Sequence, residues 1–277
     1  MSENLPVAGE GYNSFFREPC DLFVAKLDLN QYWLDILQFG AYFGGSDVDY
    51  ATVARVDAVG AMWVSGYTVS RDFPVTASAY QLAYGGGASD AFLMRVDPAK
   101  PLSDAVTYAT YVGGSDAEVF YDVLPLDASR VVVAGYSLSA DFPVKNAPQG
   151  GGVKAAKADA VVMLVDSGKF GHEGALYSTF YGGSQDDVAS VLLLDPFDRL
   201  YVMGYTGSAD LPVTDGLAKP SPAGSVSGFL LRHEPLERAS WETVNPLRRS
   251  AGENPSPRPA PLRRATVISP GVRNPSR

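Results

Sequence analysis

The chain has 277 residues, 46% of them hydrophobic and 19% charged, with a net charge of −9. That is the balance of a globular chain with a sizeable core. The charge is unevenly placed: residues 236–277 hold eight arginines, no lysine and three glutamates (+5), so residues 1–235 carry −14. An acidic body excludes a nucleic-acid footprint there, since phosphate binding needs clustered cations. No apolar run approaches the ~18 residues that cross a bilayer, so no membrane insertion is expected. Cys20 is the single cysteine, so no intrachain disulfide forms.

From the start, "MSENLPVAGEGY" has neither the basic opening nor the apolar stretch of a secretory signal. Its "SENLPV" (2–7) is the first of several phrases that return. "DLFVAKLD" (21–28) comes back as "DAFLMRVD" (90–97), "DAVVMLVD" (159–166) and, one residue early, "SGFLLRHE" (227–234). "AYFGGSDVD" (41–49) comes back as "TYVGGSDAE" (110–118) and "TFYGGSQDD" (179–187), placing Gly44, Gly113 and Gly182 at intervals of 69. "WVSGYTVSRDFPVT" (63–76), "VVAGYSLSADFPVK" (132–145) and "YVMGYTGSADLPVT" (201–214) keep the same step. A fixed period shared by separate phrases marks a repeated supersecondary unit.

Each period reads as four short strands, in the middle copy 107–112, 118–126, 130–136 and 90–97, rich in Val, Tyr, Phe and Thr and bounded by Gly, Pro and Asp. The glycine pair is expected to turn between the first and second strands, and Asp127-Ala128-Ser129 to close a tight hairpin. No segment keeps a 3.6-residue apolar period, so helix is expected to be scarce. A four-stranded antiparallel sheet that is apolar on both faces must stack on neighbours, which is the logic of a propeller blade.

The fold expected is therefore all-β, with propeller-type repeats. Residues 1–28 form a partial blade (a last-strand element), 29–97, 98–166 and 167–235 three full blades, and 236–277, with seven prolines, a disordered tail. Three and a half units do not close a ring. The chain is thus expected to belong to a longer array, to self-associate as a homodimer completing the propeller, or to finish a small ring with strands from its tail.

The ordered phrases "TYVGGSDAE…GYSLSADFPV…DAFLMRVD" resemble the SBBP repeat family of bacterial β-propellers over residues 2–235. The period is longer than that family's, Leu211 stands where Phe73 and Phe142 do, and the last copy lacks the aspartate matching Asp90. The resemblance implies an extracellular or envelope-associated propeller.

For chemistry, the acids after each glycine pair are the candidates: Asp47 and Asp49, Asp116 and Glu118, Asp186 and Asp187. Closely spaced carboxylates can offer oxygens to calcium, which takes six to eight. The alternative, favoured because every unit needs its turn, is that they accept backbone N–H bonds. Asp72, Asp141 and Asp210 are expected to fix turns, and Phe73, Phe142 and Leu211 to wedge between blades. Tyr67, Tyr136 and Tyr205 recur in every unit and are assigned to packing. Trp33, Tyr80 and Tyr84 do not recur and are the candidates for a protein or carbohydrate ligand. His172 and His233, the two histidines, stand outside any nucleophile elbow or zinc-helix setting. No catalytic residue is assigned, and no cofactor beyond calcium. The functional expectation is a non-enzymatic scaffold or binding module. The rivals are a propeller hydrolase or lyase with acids at the central channel, and a calcium-dependent adhesion module.

Overall fold

The computed structural model describes residues 19–32, 36–147, 157–212, 225–233 and 266–268. Among them there is no α-helix, and two short 3-10 turns (Leu102–Asp104 and Gly171–Gly174) accompany fourteen strands. Sheet I pairs β1 (Leu22–Leu27) with β2 (Leu37–Phe43). Sheet II comprises β3 (Asp49–Val56), β4 (Met62–Thr68), β5 (Asp90–Val96) and β6 (Val106–Val112) in that order. Sheet III repeats this with β7 (Glu118–Pro125), β8 (Arg130–Ser137), β9 (Asp159–Asp166) and β10 (Ala175–Tyr181). Sheet IV holds β11 (Asp187–Leu194), β12 (Leu200–Thr206), β13 (Ser227–His233) and β14 (Thr266–Ile268). Every pairing within the sheets is antiparallel.

The four strands expected of the middle copy are all present, but their grouping is displaced by one strand. The glycine pair 113–114 does not join two strands of one sheet. It carries the chain from β6, the last strand of sheet II, to β7, the first of sheet III. A sequence period fixes the step of a repeat but not where its folded unit begins. The tail also departs from expectation at one place: Thr266–Ile268, inside the segment read as disordered, pairs antiparallel with β13. Three consecutive β-branched residues suit an edge strand. The rest of 236–277, like residues 1–18 and "SENLPV", lies outside the described residues.

Alternate residues serve alternate faces, so sheets II and III bury apolar side chains on both, and sheets I and IV on one. Val131 and Val133 of β8 join Trp63, Leu93 and Phe120 in the layer between sheets II and III. Val132 and Ala134, their neighbours in sequence, join Val202, Phe229 and Leu231 between sheets III and IV. A third layer sets Leu22, Val24 and Phe43 of sheet I against Val64, Phe92 and Met94. Phe73, Phe142 and Leu211 each occupy a successive layer, 2%, 3% and 5% exposed, where the wedging role places them. Truncating one such side chain to alanine costs about 2–5 kcal/mol.

The first strand of each sheet lies across the first three strands of the preceding one: β7 against β3, β4 and β5, and β11 against β7, β8 and β9. Each first strand carries a β-bulge opposite a glycine of its partner, after Ala51, Phe120 and Ala189 facing Gly66, Gly135 and Gly204. Bulges sharpen twist, and the glycines are required because a methyl there would meet the carbonyl oxygens of Tyr50, Val119 and Val188.

Candidate functional site

The repeated acids are consumed locally, and in the same way each time. Asp49 accepts Gly45 N–H (2.7 Å) and Ser70 Oγ–H (2.9 Å). Glu118 accepts Gly114 N–H (2.9 Å) and Ser137 Oγ–H (2.6 Å), and Asp187 accepts Gly183 N–H (2.7 Å) and Ser208 Oγ–H (2.8 Å). All three are fully buried. Burial, the largest cause, raises their pKa against the opposing pull of these donors. Asp72, Asp141 and Asp210 complete the lock: each Oδ1 accepts both the N–H and the Oγ–H of Ser46, Ser115 or Ser184, at 2.7–2.9 Å. Ser70, Ser139 and Ser208 then accept the next amide, at 2.8 Å in each copy. The turn-fixing role thus accounts for these aspartates.

The other acids of the calcium sets diverge from their partners. Asp47 and Asp186 are exposed and accept amides of Val48 (2.8 Å) and Ala158 (3.1 Å), and Asp116 is also exposed. Among the described residues no three His, Cys, Asp or Glu side chains gather closely enough to hold a metal ion.

The aromatic candidates are redistributed. Trp33 lies outside the described residues. Tyr80, read as a loop ring open to a ligand, is 6% exposed and joins the layer between sheets II and III, with the His172 ring edge-on at 5.4 Å. Its side chain is therefore part of the core rather than facing solvent. Tyr84 is half-buried, edge-on to Tyr111 at 6.0 Å with Arg71 over its ring, and donates to Gly87 O. His233 ends β13.

The recurring tyrosines, assigned to packing by sequence, are the more exposed set. Tyr67 and Tyr136 are half-buried and Tyr205 is 44% exposed. Tyr50 (52% exposed) stacks on Tyr67 at 5.6 Å, and Tyr121 (38% exposed) sits 6.0 Å from Tyr136. Tyr121 occupies the bulge of β7, between Phe120 and Asp122, and is left out of the ladder pairing. Desolvation first, then the phenols of Tyr205 and Tyr67, raise the Tyr121 pKa, and Tyr136 is raised by burial and by Tyr121, Tyr205, Glu118 and Tyr67. Five phenols from three sheets therefore share one neighbourhood beside the first strands. The spacing of 69 among Tyr67, Tyr136 and Tyr205 was visible in the sequence; the bulge that holds Tyr121 beside them was not.

Beneath them lies a polar hub that no repeat announces. Asp122, 2% exposed, receives two guanidinium nitrogens of Arg55 (3.0–3.2 Å) from sheet II and Leu192 N–H (2.8 Å) from sheet IV. One carboxylate thus ties three first strands together. The equivalent positions hold Val53 and Val191, so no recurring phrase marks it.

No protein-family model matches the chain, and no curated protein sequence matches it.

Proposed function

We propose that the chain is a non-enzymatic binding module built from propeller-type blades, of the kind expected in a bacterial surface or secreted repeat protein such as the SBBP-type arrays. Successive four-stranded sheets, packed most closely along their first strands, support a blade-like arrangement. The buried acids of the repeat are engaged in holding the crossovers, which favours a scaffold over an acid–base catalyst at those positions.

The observation that carries the binding reading is the tyrosine face: Tyr50, Tyr67, Tyr121, Tyr136 and Tyr205. A phenol offers an apolar ring and a hydrogen-bonding tip on a side chain that loses little entropy when fixed. A sugar chain, with C–H faces to stack and hydroxyls to pair, suits such a row. The test is titration of the chain with a panel of soluble polysaccharides and unstructured peptides, followed by intrinsic fluorescence. Binding of a polysaccharide that weakens at least about tenfold (~1.4 kcal/mol) in Tyr121→Ala/Tyr205→Ala, with an unchanged melting temperature, supports the reading. Affinity indifferent to both substitutions refutes it.

A further inference from the structure

Each crossover holds a second buried acid at the entry to a third strand. These are Asp21, Asp90 and Asp159, 7%, 0% and 1% exposed. Gly44 and Gly113 are wedged between that acid and the lock acid, and Gly182 lies against Asp159. A methyl on Gly113 would sit 2.6 Å from Glu118 Oε2 and 2.7 Å from Asp90 Oδ1. On Gly44 it would sit 2.7 Å from Asp49 Oδ2 and against Asp21 Oδ1, and on Gly182 against Asp159 Oδ1. Asp90 Oδ2 accepts Gly85 N–H (2.7 Å) and Gln81 Nε2–H (3.1 Å), whereas its buried Oδ1 has no donor. Asp49 and Asp187 also face the hydroxyls of Thr68 and Thr206, which pull their pKa down against burial.

The hydrogen-bond donors to Asp49, Asp90, Glu118 and Asp187 among the described residues are neutral N–H and O–H groups. The other titratable groups around Asp90 are Glu118 of β7, Tyr84 of the glycine loop and Tyr111 of β6, and the nearby cation, Arg71, lies over the Tyr84 ring. Around Asp49 they are Asp21, Cys20 and Tyr111, and beside Asp187 stands Asp210. Two carboxylates cannot both stay ionised in such a place without a cation or a proton. Calcium needs six to eight oxygens, and most of those here are already accepting bonds. A proton needs one acceptor.

We propose that the crossover between sheets II and III is a proton-binding site, the carboxyls of Asp90 and Glu118 sharing one proton across Gly113. The proton leaves Asp90 for solvent as the pH rises, and the two carboxylates then repel between β5 and β7. Burial first, then the charge of Glu118, pushes Asp90 up to about 7 from 3.8. The folded chain therefore holds a proton that the unfolded chain has released between those values. The contribution of this proton to stability is full below about pH 4 and is lost as the pH rises through about 7.

The test is the urea midpoint of the whole chain from about pH 5 to about pH 9, with chelator and then with added calcium. The dyad contributes up to about a tenfold rise in the unfolding constant per pH unit while it titrates. Asp90→Asn, which keeps an acceptor for Gly85 and gives Glu118 a permanent donor, is expected to shrink that dependence. Infrared spectra of the unmodified chain give a readout independent of variant folding: a protonated-carboxyl carbonyl band at neutral pH that disappears by about pH 9. Absence of that band at neutral pH, a stability independent of pH, or stabilisation by calcium that Asp90→Asn abolishes would each overturn the proposal.

Discussion

Gly135→Ala tests the packing logic most directly. Gly135 faces Phe120 across the β7–β8 ladder, at the residue where the bulge opens. An added methyl would press on the Val119 carbonyl oxygen and lie 2.7 Å from Phe120 Cα and 2.8 Å from Val119 C. Ordinary carbon contacts sit at about 3.5–4.0 Å, so β7 has to retreat by about 1 Å. All the atoms met are backbone, and Phe120, 0% exposed, anchors the strand in the core. Overpacking costs about 1–3 kcal/mol, and each ladder bond lost adds about 1 kcal/mol. The expected loss is about 3–5 kcal/mol, a large part of a typical domain's stability. Gly60→Ala is the control: its φ is +91° but its methyl would meet nothing, so only the backbone penalty of about 1–2 kcal/mol applies. Urea unfolding followed by circular dichroism measures both. A Gly135→Ala midpoint within about 1 kcal/mol of the parent, or below the effect of Gly60→Ala, would refute the account of the bulge.

Asp122→Ala leaves the Leu192 amide without its acceptor and Arg55 without its carboxylate. A loss of about 3–5 kcal/mol is expected in the same assay. Tyr111→Phe removes a phenol that donates to Ser70 O (2.8 Å) and accepts Phe73 N–H (2.8 Å), costing about 2 kcal/mol by thermal unfolding with the secondary structure retained. Asp141→Ala costs about 1 kcal/mol at neutral pH, the bonds being solvent-exposed. Those bonds from Ser115 hold the Asp141 carboxyl below 3.8. Their contribution is thus present above that value and lost as the pH falls below it, so parent and variant are expected to converge in an acid titration.

What could be read from the sequence was whatever recurs. The strands, the aspartates of the turns and the wedging Phe73, Phe142 and Leu211 announce themselves because each unit needs them at the same place. Sheet boundaries did not, since a period of 69 has no marked origin and only the pairing of β6 with β5 shows that the glycine pair leaves one sheet for the next. Asp122 stayed hidden for the opposite reason: it stands where the other copies have valine, and its partners lie 67 and 70 residues away. Tyr80 is core rather than ligand-facing because a loop ring without an equivalent can still be folded inward, as it is against the His172 ring. The Asp90–Glu118 pair joins residues 28 apart, from two phrases that look independent until β5 and β7 are placed side by side.

The crossover position also says where this protein can be cut and respliced. Joining Val112 to Gly182 excises 69 residues and removes β7–β10 as one whole sheet, leaving a glycine pair at the seam and β11 to take the place of β7. Joins made between β5 and β6 would instead split a sheet and leave two ragged edges. The shortened chain keeps every bond that recurs and forfeits those that do not, such as Thr52 to Phe120 O and the Arg55–Asp122 pair. Shortening or lengthening by whole sheets is therefore a route by which such a chain changes size, its individuality residing in the few contacts that each splice must replace.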